Sequence, residues 1–345
     1  MMLLHDEPPT AMVHYWSTDD MVRYADAAEK HGRLQGIIEH VHKILDWKLD
    51  GDEETALVVA DTETSPTVYQ TMAGVLSTLG VRPTVSIIPQ QPAPNMEPPG
   101  EVGDAAASTD VVVNLGTHAL LHSDAMQTAI HDRDATYLYL ADTTEDYFTR
   151  GAVEADPAEL DEFTRRVSDR LQRSDHVRVT SPQGMDVEFR VDGSRRFPLT
   201  GYPAGEAPLC PIEESVNGTV VVDSYMMGVG LLEEPITWEV EDGRIQEIRG
   251  GREARALRNV VETHGDDNSY WIAEFSIMTN EFARPNGIYI EHLSVGGGTH
   301  FALGNGTSLG GKYDSAIHLD GAQLEPTVTV DGETIVEAGQ FTIDR

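Results

Sequence analysis

Hydrophobic residues in the first half of the chain follow two alternating patterns. Between Ser17 and Leu49 they recur at spacings of three and four, which predicts a long amphipathic helix. The run Thr55–Asp61 is almost continuously apolar, which is typical of a strand buried in a parallel sheet. Three further strands are predicted at 83–88, 110–115 and 136–141. Further helices are predicted at 67–79, at 156–173 and between the strands 110–115 and 136–141. Strands that alternate with helices indicate an open, mostly parallel sheet.

From about residue 176 the pattern changes to short strands separated by glycine turns. Strands are predicted at 177–181, 186–191, 218–223, 236–240 and 244–249, with a helix near 251–263. Asp-Gly pairs at Asp242 and Asp331 favour two-residue hairpins. We therefore predict an α/β protein of two domains. An N-terminal open, mostly parallel α/β sheet domain covers residues 1–165, and a strand-rich α+β catalytic domain, in which the candidate metal-binding residues lie, covers residues 166–345.

The charge of the chain is strongly acidic, with 58 Asp and Glu residues against 24 Lys and Arg and a formal net charge of −34. A surface of this sign repels nucleic acid and anionic membranes, so neither is an expected partner. An acidic mimic of DNA is one alternative. However, the acids are spread along the whole chain and only four lysines occur, which favours adaptation to high salt.

Several features favour a cytoplasmic protein. The sequence contains no run of 18 or more apolar residues, so no membrane span is predicted. The segment Met1–Pro9 lacks the basic start and apolar core of a signal peptide. The single cysteine, Cys210, excludes an internal disulfide and a multi-cysteine zinc site and fits a reducing compartment. Neither a G-x-G-x-x-G nor a Walker A sequence occurs, so a nucleotide is not indicated.

Two glutamates in the second half stand in unusual surroundings. Glu206 lies in a segment crowded with glycine and proline, residues 201–218, whose backbone is therefore tightly specified. Glu274 lies in the apolar, strand-like run 271–280, where a buried carboxylate is costly unless it is paired or binds a metal. A solvent-exposed acid is the alternative at both positions.

Two histidines and an aspartate add further metal-binding groups. His300 follows three glycines, which allow a close approach of the backbone. His318 and Asp320 are two residues apart, so on a strand they point to the same side and can bind one metal. Together with the two glutamates, these nitrogen and oxygen groups suit Zn, Co, Mn or Fe(II).

Other histidines lack such a context. His118, His122 and His131 are predicted on a helix of the first domain, as surface or packing residues. His264 lies at a predicted helix end, which favours a capping or solvated role, whereas His292 could line the site.

Four segments of the second half, at 205–218, 273–280, 298–304 and 317–321, resemble in order and spacing the motif series of the M29 metallopeptidases, the aminopeptidase T-like proteins. The run 325–332 is similar to the end of that family. The resemblance implies an α/β N-terminal domain, a C-terminal catalytic domain, a homodimer and a pair of divalent metal ions. Matched position by position, it implies that the metal ligands are Glu206, Glu274, His300, His318 and Asp320.

The function that this resemblance implies is a metallo-aminopeptidase that releases N-terminal residues from small peptides. A metal of this kind polarises the scissile carbonyl and lowers the pKa of a bound water. Either Glu206 or Glu274 would accept the proton of that water as a general base.

Two positions depart from the M29 pattern. The family has an acid a few residues before the histidine matched by His300, whereas here only Glu291 is nearby. This departure leaves one metal ion as an alternative to the pair. The tyrosine that follows that histidine in the family is replaced by Thr307, and Tyr313 is the candidate substitute.

The same superfamily resemblance extends to the 2,5-dihydroxypyridine dioxygenases, which are similar in length and architecture and bind one Fe(II) through histidines and an aspartate. A single-metal site on His318 and Asp320 fits that pattern. The alternative function is therefore a mononuclear Fe(II) ring-cleaving dioxygenase with a small aromatic substrate. A third possibility is a non-catalytic module that keeps the fold without its metals.

Overall fold

The computed structural model describes residues 18–195 and 201–345. The segment Met1–Pro9, which was expected to lack a signal peptide, lies outside the described residues. Within the described ranges, no helix is both long and apolar enough to cross a bilayer.

The helices and strands follow one another in the order that the sequence pattern predicts, first mixed and then mainly strands. The α-helices of the described residues are α1 (Thr18–Lys48), α2 (Pro66–Thr78), α3 (Gly100–Ala106), α4 (Asp124–Arg133), α5 (Pro157–Gln172), α6 (Arg252–His264) and α7 (Tyr289–His292). The strands are β1 (Thr55–Asp61), β2 (Arg82–Ile88), β3 (Val111–Asn114), β4 (Thr136–Tyr139), β5 (His176–Thr180), β6 (Asp186–Arg190), β7 (Glu206–Leu209), β8 (Asn217–Val222), β9 (Tyr225–Met226), β10 (Gly230–Leu231), β11 (Ile236–Glu241), β12 (Arg244–Arg249), β13 (Ile272–Met278), β14 (Thr299–Gly304), β15 (His318–Gln323), β16 (Thr327–Val330), β17 (Glu333–Glu337) and β18 (Gln340–Phe341).

A four-stranded parallel sheet, in the order β2-β1-β3-β4, forms the centre of the N-terminal half. Successive side chains of β1 point to opposite faces, so Leu57 and Val59 pack with residues of α3 and α4, whereas Ala56 and Val58 pack with residues of α1 and α2. Both faces are thus covered by helices, which explains why this strand is apolar throughout. The predicted open parallel sheet is confirmed.

Two antiparallel sheets make up the C-terminal half. One has six strands in the order β10-β9-β15-β14-β13-β7, and the other has eight in the order β12-β11-β8-β6-β5-β16-β17-β18. They pack through aromatic rings: Phe189 of β6 lies 5.1 Å from the ring of Phe275 and 6.1 Å from that of Phe301. The predicted fold class, α/β with a strand-rich α+β second half, is confirmed.

The two Asp-Gly turns have the predicted geometry. Asp242 and Gly243 have φ values of 47° and 81°, and Asp331 and Gly332 have 49° and 85°. Two consecutive residues with positive φ are required by a type I′ hairpin, whose twist matches that of the strands it joins. These turns set the pairing of β11 with β12 and of β16 with β17.

Helix α4 differs from the expectation because it begins later in the chain. Ser123 is its N-cap, and the Ser123 hydroxyl accepts a hydrogen bond from the backbone N–H of Met126. Of the three histidines predicted on this helix, only His131 lies on it, so the placement of His118 and His122 was wrong. The domain boundary between residues 165 and 166 falls inside α5, and the division of the chain at that point stays a prediction.

Substitution Phe189→Ala should destabilise the protein by about 3–5 kcal/mol, because it leaves a cavity between the two antiparallel sheets. Denaturant unfolding in concentrated salt measures this change. The matched control is Phe282→Ala, since the Phe282 side chain is exposed, and that change should stay within about 0.5 kcal/mol. Equal effects of the two substitutions would contradict this view of the core.

Candidate metal centre

The register of the six-stranded sheet brings a row of candidate residues together. Ala302 of β14 pairs with Glu274 of β13 on one side and with Asp320 of β15 on the other. Residues that are directly opposite in a sheet share a face, so the two carboxylates flank a small side chain on the same surface. Because alanine does not fill the space between them, both acids can converge on one point.

The remaining candidates occupy the same face for the same reason. His300 and His318 lie two residues from Ala302 and Asp320 on their strands, and strand alternation returns the side chain to the same face at that spacing. Glu206 of β7 pairs with Met278, which is four residues beyond Glu274. Four neighbouring strands therefore contribute to one cluster.

The side chains of this cluster are within contact distance of one another. His300 Nε2 lies 3.2 Å from Glu206 Oε1, 3.2 Å from Glu274 Oε1 and 4.0 Å from Asp320 Oδ1. His318 Nε2 lies 3.1 Å from Asp320 Oδ1 and 3.2 Å from Glu274 Oε2. Glu274 thus contacts both imidazoles, and it is buried, so the alternative of a solvent-exposed acid is wrong for Glu274. The structure brings all five predicted ligands together; that they bind a metal stays a prediction.

Hydrogen bonds around the cluster fix the orientation of its members. His318 Nδ1 donates to the carbonyl oxygen of Asn305 at 2.6 Å, which leaves Nε2 to face the carboxylates. The Tyr289 hydroxyl donates to Asp320 Oδ2 at 2.7 Å and accepts from the Tyr139 hydroxyl at 2.7 Å. Outer partners of this kind hold metal ligands in position and tune their basicity.

The charges of the cluster call for a cation. Burial alone would lower the pKa of His318, but the carboxylates of Asp320 and Glu274 outweigh it and raise the pKa to about 10. Burial likewise opposes the charged form of His300, but hydrogen bonds to Glu206 and Glu274 outweigh it and raise the pKa of His300 well above the usual value. For Glu274, hydrogen bonds from the two imidazoles outweigh burial and hold its pKa below the ordinary range. Two buried carboxylates and the partly buried Glu206 thus attract positive charge to one point, and a divalent metal ion would supply it.

The donor atoms form two overlapping groups of metal-binding size. Glu206, Glu274 and His300 form one, and His122, Glu274 and His318 form the other; in each the ligand atoms lie within 4.8 Å of one another. Imidazole nitrogens and carboxylate oxygens suit divalent first-row metals. The other ring nitrogen of His300, Nδ1, is buried and has no hydrogen-bond partner among the described residues. The residues present therefore fit a divalent metal ion, with Glu274 common to both groups.

His122 is a member of the cluster that the sequence analysis missed. Its ring stacks on that of His318 with centroids 3.8 Å apart and an interplanar angle of 13°. Nδ1 lies 2.6 Å from the Ser308 hydroxyl, and burial lowers the pKa of His122 to about 3. The N-cap signature Ser123-Asp124 was the available signal, because it places His122 in a loop that can face the C-terminal half.

Other candidate residues lie away from the cluster. Tyr313 stacks on Trp271 and donates its hydroxyl to Glu214, so the tyrosine that contacts the cluster is Tyr289 instead. Glu291 is buried and bound to Arg284.

Two further histidines have defined places. His292 is buried, with Nδ1 2.7 Å from the Ser224 hydroxyl, and its Nε2 accepts from the backbone N–H of Gly287. It therefore supports the helix that carries Tyr289. His264 is the last residue of α6, as expected of a helix end.

A cavity of about 340 Å³ opens onto the cluster. Glu206, Glu274, His300 and Asp320 form one part of its wall. The rest is largely apolar and comes from both halves of the chain, including Ile44, Leu121, Leu138, Tyr202, Pro208 and Ile290. An apolar pocket with a few convergent polar groups is the usual form of a small-molecule site.

Comparison with known proteins identifies relatives of this chain. The family model described as 2,5-dihydroxypyridine 5,6-dioxygenase matches residues 48–343. The 2,5-dihydroxypyridine 5,6-dioxygenase of Pseudomonas putida strain KT2440 is 29% identical over 150 residues, which cover 40% of this chain and 43% of that protein. The matched part thus spans less than half of the length of this curated relative.

Two solved structures have a similar fold. The structure of 2,5-dihydroxypyridine dioxygenase from Pseudomonas putida KT2440 has a TM-score of 0.73 at 20% identity and covers 90% of this chain and 97% of that one. Wild-type AmpT from Thermus thermophilus has a TM-score of 0.64 at 14% identity and covers 90% of this chain and 99% of that one. Identities this low show a shared fold and no more.

Substitution Glu274→Ala should weaken binding of Mn(II) or Fe(II) by about 10- to 100-fold, because Glu274 contacts both imidazoles and holds them in position for the metal. Calorimetric titration of metal-free protein measures the affinity. Glu214→Ala is the control, since Glu214 is exposed and pairs with Lys312. Unchanged affinity in Glu274→Ala would remove this residue from the ligand set.

Substitution Tyr289→Phe should weaken metal binding by about 10- to 100-fold, because Asp320 loses the hydroxyl that orients it. The same titration serves as the measurement. Tyr225→Phe is the matched control: its ring packs on Tyr289 with centroids 5.7 Å apart, and its hydroxyl has no hydrogen bond among the described residues. If both variants bind metal like the unmodified protein, the hydroxyl has no such role.

Proposed function

This chain belongs to the 2,5-dihydroxypyridine 5,6-dioxygenase family, and on that premise we propose that it is a mononuclear Fe(II) dioxygenase that opens the ring of a small hydroxylated pyridine. The observation that carries the proposal is the family match over residues 48–343, which includes every residue of the metal cluster. The main prediction from the sequence, a metallo-aminopeptidase, is not confirmed, and its dioxygenase alternative is the better supported of the two.

Three residues of the cluster are proposed to hold the iron. His300, His318 and Asp320 offer two imidazoles and one carboxylate, the donor set typical of non-haem Fe(II) oxygenases that keep positions open for other ligands. Bound Fe(II) supplies the one-electron chemistry that lets dioxygen react with an aromatic ring. Tyr289 and Asn305 orient Asp320 and His318 respectively through their hydrogen bonds.

The other acids of the cluster have a proposed role in proton transfer. Glu206 and Glu274 line the cavity, and a carboxylate oxygen of either can accept the proton of a ring hydroxyl. A 5,6-dioxygenase breaks the bond between C5 and C6 and places both oxygen atoms of O₂ in the product. The apolar walls exclude bulk water from this reaction and pack against the faces of the ring.

One observation favours the aminopeptidase as a second candidate. The two ligand groups share Glu274, which is the arrangement of a carboxylate that bridges two metal ions. In that case the chain would use a metal-bound water, with Glu206 or Glu274 as the general base and a small peptide as the substrate.

Three broader expectations stay predictions. The M29 resemblance implies a homodimer, and the composition favours a cytoplasmic protein that is adapted to high salt. The net charge of −34 supports the last of these, because concentrated salt screens the repulsion between so many carboxylates.

The protein purified anaerobically in high salt should contain about one iron per chain, one metal being the number that the family implies. With 2,5-dihydroxypyridine it should consume one O₂ per ring, and both atoms of ¹⁸O₂ should appear in the product. An oxygen electrode, mass spectrometry and elemental analysis provide these measurements. Two zinc, cobalt or manganese ions per chain, together with oxygen-independent cleavage of leucyl peptides, would instead establish the aminopeptidase.

A further inference from the structure

The wall of the cavity contains a single Lys or Arg side chain among the described residues, Lys48 at the end of α1. Ile44, Gly201 and Tyr202 also line the cavity. Lys48 makes no ion pair with Glu206, Glu274 or Asp320, so the ammonium group is not part of the metal cluster. A cationic residue therefore lines the cavity separately from the candidate ligands.

Lys48 has no hydrogen bond and no ion pair within the part of the chain that the structure describes. The acid that raises the pKa of Lys48, Asp161, already has other hydrogen-bond partners. Its Oδ1 accepts from the Tyr202 backbone N–H at 2.8 Å and its Oδ2 from the Trp47 indole N–H at 3.3 Å. Such an unpaired cation is unexpected in a chain with 58 acids, where a partner could readily have been placed beside it.

Two of the other lysines differ in this respect. Lys43, five residues earlier on the same helix, donates to the carbonyl oxygens of Val153 and Ala155. Lys312 binds the carboxylate of Glu214. The contrast indicates that the missing partner of Lys48 is not a general property of the lysines of this protein.

A helix end also favours a lysine, because the last carbonyl groups carry partial negative charge. That interaction does not require the side chain to be half-buried against a cavity. Burial lowers the pKa of Lys48, and Asp161 offsets this only in part. The charged form is therefore compensated only in part by Asp161, and an anionic ligand in the cavity would complete the compensation.

The volume of the cavity leaves room for such a ligand. At about 340 Å³ it lies at the lower end of the range of about 300–1,000 Å³ that accommodates drug-sized molecules. A dihydroxypyridine is a single ring with two hydroxyl groups and is smaller than these. One further substituent can therefore extend from the ring toward Lys48.

We propose that Lys48 binds a carboxylate substituent of the substrate, so that the preferred substrate is a hydroxylated pyridine carboxylate. This inference rests on the proposed dioxygenase function and makes Lys48 a residue that determines specificity. The ammonium group offsets the repulsion that an anionic substrate meets from a strongly acidic protein, and it fixes the orientation of the ring relative to the metal ligands.

The test compares the iron-loaded protein with its Lys48→Met and Lys48→Arg variants, by oxygen consumption with 2,5-dihydroxypyridine and with its 3- and 4-carboxylates. Lys48→Met should raise KM for the better carboxylate by about 10- to 100-fold, the usual effect of losing a hydrogen bond to a charged group. KM for 2,5-dihydroxypyridine itself should change less than about twofold. Lys48→Arg should restore most of the preference, because it keeps the charge.

Lys30→Met is the matched control, since Lys30 lies exposed on the same helix and its loss changes the net charge equally. It should leave KM for all three compounds unchanged. Equal losses for the neutral and the carboxylated compounds in Lys48→Met, or no loss at all, would overturn the inference while the dioxygenase function stands.

A second measurement separates failure of the inference from failure of the proposed function. If no compound supports oxygen consumption, calorimetric binding of pyridine-3-carboxylate and of unsubstituted pyridine still tests the anion site. Tighter binding of the carboxylate to the unmodified protein than to Lys48→Met supports a role for Lys48 in anion recognition. Equal affinities of the two proteins exclude it.

Discussion

Three carboxylates on one face of the six-stranded sheet, of which Glu274 and Asp320 are buried and Glu206 is partly buried, must be balanced by positive charge. Removing a carboxylate from water costs several kcal/mol unless partners compensate it. Here the partners are two imidazoles that lie between the acids, at 3.1–3.2 Å. A divalent cation bound among these residues would take over that compensation, because a metal-bound imidazole is neutral.

The alanine at the centre of the row makes this convergence possible. Ala302 lies between Glu274 and Asp320 in the sheet register, and a larger side chain there would occupy the space that the two acids share. The supporting hydrogen bonds then come from segments outside the sheet, from α7 through Tyr289 and from the loop at Asn305. The sheet thus sets the positions of the ligands, and the surrounding loops set their orientation.

The sequence predicted those parts that depend on local patterns. The apolar run of β1, the two Asp-Gly turns and the five clustered candidates all leave signals within a few residues, such as the two-residue spacing of His318 and Asp320. The N-cap signature at Ser123 places His122 in a loop but not at the cluster, because the role of His122 depends on stacking between the two halves of the chain. Tyr289 was missed for a similar reason: the comparison of spacing with the M29 pattern pointed to Tyr313, whereas α7 brings a tyrosine from an earlier segment to Asp320.

The cavity draws its walls from both halves of the chain, and four of the five ligands predicted from the sequence, Glu206, Glu274, His300 and Asp320, line it from strands of the second half. A consequence concerns how such a protein can diversify. Substitutions in α1 can reshape what enters the cavity and leave the ligand-bearing strands untouched. Substrate range and reaction chemistry are then separately heritable traits, and a lineage can acquire a new substrate without rebuilding its reactive centre.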